Sequence, residues 1–152
     1  IKFMGNAYFY HLTRRPMEET LIMLLCKAQD VGWRVAIRSE DHKLLSRLDE
    51  YLWKINDFLP HGLAGGQNDA NQPILLTIHK ISNYAKCLMS VDGTVVDPEE
   101  VKSLERVCIL FDGEDPDQLR MARNQWRILK DAAVPSQYWS EQSGSWEKRA
   151  EA

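Results

Sequence analysis

Apolar positions in the first third of the chain follow two different spacings. Residues 6–12 (NAYFYHL) and 33–39 (WRVAIRS) are short runs rich in aromatic or β-branched side chains, which predicts two strands. After each run, leucines recur every three or four residues, which predicts helices within residues 13–32 and 39–54. Strands that alternate with helices across short connections indicate a mainly parallel sheet covered by helices.

A polar, glycine-rich segment at residues 56–73 interrupts this alternation. It contains three glycines and two prolines, which predicts a long loop. Beyond the loop, three apolar runs predict strands: ILLTI, CLMSV and RVCILFD. The last run is almost continuously apolar, so we expect it to be a buried strand at the centre of the sheet. A helix that starts at Asp115 and Pro116 and a short strand, SQYW, are predicted to follow.

These patterns predict one α/β domain over residues 1–152, with a mainly parallel central sheet flanked by helices. A chain of 152 residues is long enough to bury a core of its own. We expect residues 1–5 to be an extraneous or disordered start, and residues 141–152 to form a polar tail that frays or makes a short helix. Since no apolar run reaches the roughly 20 residues needed to span a bilayer, we expect no membrane contact.

Net charge indicates which partners to expect, and the cysteines indicate the redox environment of the protein. The 22 acidic residues outnumber the 19 basic ones, and a net charge of −3 argues against strong nonspecific binding to nucleic acid. The three cysteines, Cys26, Cys87 and Cys108, each lie in an apolar run. We interpret them as reduced, buried thiols of a cytoplasmic protein rather than as a disulfide framework.

Motifs for nucleotides, metals and catalysis are missing from the places where they are expected. The turn after the first predicted strand, HLTRRPM, has no glycine, whereas phosphate-binding loops need glycines there for close backbone approach. Histidines and cysteines show no metal-ligand spacing, and no G-x-S-x-G motif occurs. We therefore expect no catalytic residue, metal or cofactor. The alternative is a small anion- or cofactor-binding α/β enzyme that uses His61 and the glycine-rich loop from Pro60 to Gly66.

The last predicted helix carries a row of basic residues. Four of them are spaced so that they line one side of the helix: Arg120, Arg123, Arg127 and Lys130. Trp126 lies at the border between this row and the apolar strip. The row is either a solvated face whose arginine stems cover the edge of the core, or a site where guanidinium groups beside an aromatic ring bind a carboxylate-bearing peptide.

A second group of large apolar side chains lies near the glycine-rich loop. Trp53 is close to the end of the second predicted helix, and Phe58 and Leu59 lie at the start of the loop. These residues either plug the core or anchor a protein partner at the surface.

Several segments, in their order along the chain, resemble one known family. They are FYHLT (residues 9–13), GWRVAIR, LDEYLW (residues 48–53), FLPHGLAGG (residues 58–66), QPILLT and RVCILFDGEDPDQLRMARNQWRILKDA. The pair LDE-x-LW and F-[LV]-P-H-x-L-A-G is the most specific part. Together these segments, over residues 6–139, resemble the chi subunit of bacterial DNA polymerase III.

The resemblance implies a Rossmann-like fold without a nucleotide site and a non-catalytic role in replication. It implies that the protein joins the clamp loader through a psi subunit and holds the acidic, phenylalanine-terminated tail of the single-stranded-DNA-binding protein. Contact with DNA would then be indirect. The tail site implied by position consists of residues near the last helix: Phe111, Arg120, Arg123, Trp126, Arg127 and Lys130. The psi-facing surface implied by position includes Trp53 and Phe58, with Leu59 beside them.

Two positions of the implied tail site depart from the better-known members of the family. Those members have a tyrosine where this chain has Trp126 and a lysine where it has Arg127. Both changes keep an aromatic ring and a positive charge, so the resemblance implies a site of the same chemical type.

Overall fold

The sheet and its helices are built from residues 5–55 and 59–152, the parts of the chain that a computed structural model describes. The strands are β1 (Asn6–Leu12), β2 (Val35–Arg38), β3 (Gly62–Leu63), β4 (Ile74–Thr77), β5 (Cys87–Ser90), β6 (Arg106–Asp112), β7 (Ser136–Ser140) and β8 (Glu147–Glu151). The helices are α1 (Met17–Asp30), α2 (His42–Ile55), α3 (Pro98–Lys102) and α4 (Pro116–Asp131), and Asp69–Asn71 forms a short 3₁₀ turn. The predicted strands and long helices are therefore present.

The strands form one sheet in the order β3-β4-β2-β5-β6-β1-β7-β8. Every neighbouring pair is parallel except β7 and β8, which are antiparallel. β6 lies between β5 and β1, as its nearly continuous apolar sequence predicted. The prediction of a single α/β domain with a mainly parallel sheet is confirmed.

The helices cover both faces of the sheet. Leucines of α1 and α2, such as Leu21, Leu25 and Leu48, pack into one core cluster with one face of the sheet. Ala122 and Leu129 of α4 belong to a second cluster with the other face. Since successive side chains of a strand point to opposite faces, β1 contributes its aromatic residues to both clusters.

Aspartate side chains cap the starts of two helices, and for α4 the cap lies where the sequence predicted the start. The carboxylate of Asp115 accepts hydrogen bonds from the backbone N–H groups of Asp117 (2.9 Å) and Gln118 (3.3 Å) at the start of α4. Asp41 accepts one from the N–H of Lys43 (2.9 Å) at the start of α2. At the start of α1, the N-cap residue is Pro16, and no side chain caps this helix.

The polar residues 141–152 were predicted to fray or to form a short helix, and this prediction of their structure is wrong. Glu147–Glu151 forms β8, which pairs with β7 in a register that sets Ser140 opposite Glu147. All five residues of β8 are exposed, so backbone hydrogen bonds rather than apolar burial hold this edge strand. The charged sequence EKRAE has no alternating apolar pattern and therefore gave no strand signal. The predicted loop at residues 56–73 likewise contains β3, a two-residue strand paired with β4.

The three cysteines are free thiols in this structure. Cys87 and Cys108 are buried on adjacent strands, and Cys26 is half-buried. The prediction of buried thiols without a disulfide is confirmed for Cys87 and Cys108, whereas for Cys26 the predicted burial is wrong, because its side chain is only half-buried. Among the described residues, no helix has the length and apolar character required to cross a membrane.

Candidate functional site

The basic row lies on the exposed side of α4. All four of its residues are exposed: Arg120, Arg123, Arg127 and Lys130. Arg120 pairs with Asp117 one turn earlier, at 2.7 Å, but both side chains are about three-quarters exposed (74% and 77%), so solvent screens this pair strongly. In the described ranges, no carboxylate lies within 4 Å of Arg123, Arg127 or Lys130. The row therefore presents three cations that an acidic ligand can pair with.

An aromatic cluster lies beside the basic row, between α4 and the sheet. Its members come from three adjacent strands and from α4: Phe9, His11, Phe111, Trp126 and Tyr138. The register explains why they meet, because β1 sets Phe9 opposite Tyr138 of β7 and His11 opposite Phe111 of β6. The ring of Tyr138 has its centroid 5.9 Å from those of His11, Phe111 and Trp126. Trp126 also meets Phe9 edge to face at 5.3 Å.

The packing of this aromatic cluster corrects one detail of the predicted tail site. Phe111 is fully buried, so it does not form an exposed wall. The ring of Tyr138 contacts the rings of both Phe111 and Trp126. The parts of the aromatic cluster that remain accessible are Trp126, Tyr138 and His11, which are half-buried. Phe111 instead supports this surface from below.

His11 and Tyr138 form a hydrogen-bonded pair next to Arg123. His11 Nδ1 and the Tyr138 hydroxyl are 2.7 Å apart. Burial, and next the positive charge of Arg123, lower the pKa of His11, whereas the acidic side chains of Asp112 and Glu141 act in the opposite direction. Burial raises the pKa of Tyr138, and Arg123 opposes that shift. At neutral pH the site therefore presents a neutral imidazole and a protonated phenol beside one guanidinium group.

Gly113 makes room for the His11 ring. A Cβ atom at residue 113 would lie 1.8 Å from His11 Nε2, a distance at which the ring has to move. Three residues of this site, His11, Tyr138 and Gly113, were not predicted from the sequence. The motifs FYHLT and SQYW were recognised as strands, but only the strand register shows that their polar aromatic residues meet.

The turn after β1 holds a carboxylate from the C-terminal part of the chain. The backbone N–H groups of Thr13, Arg14 and Arg15 all donate to Glu141 Oε2, at 3.1, 3.4 and 3.4 Å. Glu141 is only 1% exposed. Consecutive N–H groups in such a turn form an anion-binding concavity. In this fold, therefore, the chain's own carboxylate occupies the place where related α/β folds bind a phosphate.

Polar groups of the glycine-rich loop also form hydrogen bonds with other groups of the chain. His61 is buried, and its Nδ1 and Nε2 atoms lie 2.7 and 3.1 Å from the backbone oxygens of Leu59 and Asp49. The N–H groups of Gly65 and Gly66 donate to the Asp69 carboxylate at 2.9 and 3.0 Å. These contacts give both ring nitrogens of His61 and two N–H groups of the loop partners within the chain.

The residues of the second predicted surface differ in their exposure. Trp53 is 53% exposed, and its ring packs on His61 with centroids 4.2 Å apart. Leu59 is 1% exposed and belongs to the core, so its predicted place on a partner-facing surface is corrected. The third residue of that prediction, Phe58, lies outside the described residues.

Comparisons with known proteins agree with the resemblance in the sequence. The family described as DNA polymerase III chi subunit, HolC, matches residues 4–137. No curated protein matches the chain. Among solved structures, the C-terminal domain of S. cerevisiae Dbp5 is similar over 91% of this chain and 76% of that one, at 12% identity and a TM-score of 0.34, which supports no conclusion about binding or activity. Since the family match spans most of the 152 residues, the chain belongs to the DNA polymerase III chi subunit family.

Proposed function

We propose that this chi-family chain is a non-catalytic adaptor that links the clamp loader of DNA polymerase III to the acidic C-terminal tail of the single-stranded-DNA-binding protein. The observation that carries the proposal is a set of three exposed cations on α4, Arg123, Arg127 and Lys130, which have no carboxylate partner among the described residues and lie next to an accessible aromatic surface. A solvated helix face explains exposed arginines, but it does not explain half-buried aromatic rings beside them. An acidic peptide with a terminal aromatic residue matches both features.

In the proposed complex, the last phenylalanine ring of the tail lies on Trp126 and Tyr138. Its α-carboxylate pairs with Arg123, beside the neutral His11. Aspartates further up the peptide lie along Arg127 and Lys130, and along Arg120 when that residue releases Asp117. The tail would thus occupy a surface whose floor is rigid, because the aromatic cluster is packed from three strands.

The expected affinity follows from the free energies contributed by the buried ring, by the carboxylate pair at Arg123 and by the exposed ion pairs. Burying the terminal ring is worth about 1.5–3 kcal/mol. A charge-assisted pair at Arg123 contributes about 1.5–3 kcal/mol, and each exposed pair only about 0.2–1 kcal/mol. With the exposed pairs included, the upper part of these ranges corresponds to a dissociation constant on the order of micromolar, which is the expected affinity. The dissociation constant should rise with salt concentration, because most of the charges face solvent.

Calorimetric titration with an acidic peptide that ends in phenylalanine tests this proposal. A matched peptide without the last phenylalanine is the control, because it keeps the aspartates and a free carboxylate. We expect the shorter peptide to lose most of the binding. Equal affinity for both peptides would show that α4 is an unspecific basic face.

A second contact, with a psi subunit or an equivalent clamp-loader partner, is proposed at Trp53. The supporting observation is that this large ring is more than half exposed while His61 holds it from one side. A rigid, exposed tryptophan is the kind of residue that anchors protein interfaces. Trp53→Ala is expected to weaken capture of the clamp-loader partner and to leave the calorimetric titration with the tail peptide unchanged. Loss of tail binding in this variant would contradict the assignment of two separate surfaces.

A further inference from the structure

A cavity of about 490 Å³ lies on the face of the sheet opposite α4. The sheet forms its floor through β1, β5 and β6, and the C-terminal end of α1 forms one wall. Trp139 of β7 and Trp146, which precedes β8, complete the lining. Neither the tail site nor the Trp53 surface uses this cavity.

The lining combines aromatic rings with positive charge. Five aromatic side chains contribute to it: Tyr8, Tyr10, Trp33, Trp139 and Trp146. Among the described residues, the charged ones that line the cavity are Arg106 and Lys27, and none is an aspartate or glutamate. This is unusual in a chain whose acidic residues outnumber its basic ones, and it makes the cavity complementary to an anion.

Arg106 is held in place by ring faces. Its guanidinium carbon lies 4.2 Å from the ring centroid of Tyr8 and 5.4 Å from that of Trp33. Its Nε atom donates to the side-chain oxygen of Asn6 at 3.3 Å. Within the part of the chain that is described, no carboxylate lies within 4 Å of this guanidinium group. The ordered guanidinium therefore keeps terminal N–H groups with which it can bind a planar anion.

We propose that this cavity is a binding site for a small, planar aromatic molecule that carries one carboxylate. The volume lies in the range of small-molecule sites, which are mostly apolar with a few fixed polar groups. The ligand ring would pack among the aromatic side chains, and its carboxylate would pair with Arg106. The inference does not depend on the proposed adaptor function, because it uses a different face of the sheet.

Two probes of nearly equal shape separate charge recognition from simple apolar binding. The probes are 2-naphthoate, which is an anion at neutral pH, and 2-naphthamide, which is neutral. Binding is followed through the indole N–H signals in two-dimensional ¹⁵N NMR spectra of the whole chain. The five tryptophans report on separate places: Trp33, Trp139 and Trp146 line the cavity, whereas Trp126 and Trp53 lie at the other two surfaces.

We expect 2-naphthoate to shift the three cavity signals in a saturable way, at concentrations below those that shift Trp126, and to leave Trp53 unchanged. It should bind at least tenfold more tightly than 2-naphthamide. Arg106→Gln should remove that preference, whereas Arg149→Gln, which removes the same charge from the exposed β8, should keep it. The comparison of the two probes on the unaltered chain remains decisive if Arg106→Gln does not fold.

Three results would overturn the proposal. They are the absence of saturable shifts at millimolar probe, equal binding of the two probes, and shifts at Trp126 in place of the cavity signals. The acidic tail peptide belongs in the same experiment. If that peptide shifts the cavity signals instead of the Trp126 signal, the cavity is a peptide site. This result would refute the proposed place of the tail on α4, whereas the results with the two naphthalene probes test the cavity alone.

Discussion

Replacing Arg123 with alanine should weaken tail-peptide binding far more than replacing Lys130 with alanine. Both changes remove one positive charge from the same exposed side of α4. They differ in surroundings, because the charge of Arg123 acts on His11 and Tyr138 in the aromatic cluster. In the proposed complex, Arg123 alone meets the terminal carboxylate next to the ring of the ligand.

The expected magnitudes follow from that difference in surroundings. A charge-assisted pair that is partly shielded from water contributes about 1.5–3 kcal/mol, whereas an exposed pair contributes about 0.2–1 kcal/mol. Because 1.4 kcal/mol corresponds to a factor of ten, Arg123→Ala should raise the dissociation constant by about 10- to 150-fold. Lys130→Ala should raise it by only about 1.4- to 5-fold.

Calorimetry at pH 8 is the suitable assay, since the positive charge of Arg123 also lowers the pKa of His11. Removing that charge lets the pKa of His11 rise towards its usual range, and at pH 8 the imidazole stays neutral in both proteins. Lys148→Ala, on the exposed strand β8, is a control for loss of net charge and should bind the peptide normally. Equal losses for Arg123→Ala and Lys130→Ala would refute the special role of Arg123.

Three further predictions concern stability, measured by urea unfolding. His11 has a lowered pKa in the folded protein, so the unfolded chain binds more protons as pH falls below about 6.5, and the free energy of unfolding should decrease there. His11→Gln should lessen this decrease. If the variant has the same pH profile as the unaltered protein, the decrease does not come from His11. Gln125 is buried and exchanges two hydrogen bonds with the backbone of Val96, at 2.9 and 2.6 Å, so Gln125→Met should cost about 1–3 kcal/mol for each unpaired backbone group. A decrease in the free energy of unfolding of less than about 1 kcal/mol would show that water replaces both hydrogen bonds to Val96. Gly113→Ala should destabilise the protein by displacing the His11 ring, and much less so in a His11→Ala background; equal losses in both backgrounds would mean that the added methyl group acts elsewhere.

The sequence by itself determined the elements whose signals are local. Apolar spacing predicted the strands and helices, and Asp115 with Pro116 predicted the start of α4, because a carboxylate before a helix satisfies its first N–H groups. The continuous apolar run of β6 predicted its central place, and the spacing of the basic residues predicted that they share one side of α4. Periodicity and capping act over a few residues, so one segment is enough to show them.

Only the tertiary structure decided which distant residues meet. The hydrogen bond between His11 and Tyr138 joins residues 127 positions apart, and it depends on the parallel register of β1 with β7. Two other hydrogen bonds also join residues far apart in the chain. Glu141 accepts one in the turn after β1, and the buried Gln125 accepts one from the backbone of Val96. Strand β8 exists because the edge of β7 offers backbone hydrogen bonds, although its five side chains are exposed. Register and edge pairing are long-range choices made by the whole sheet, and no single segment contains the information that sets them.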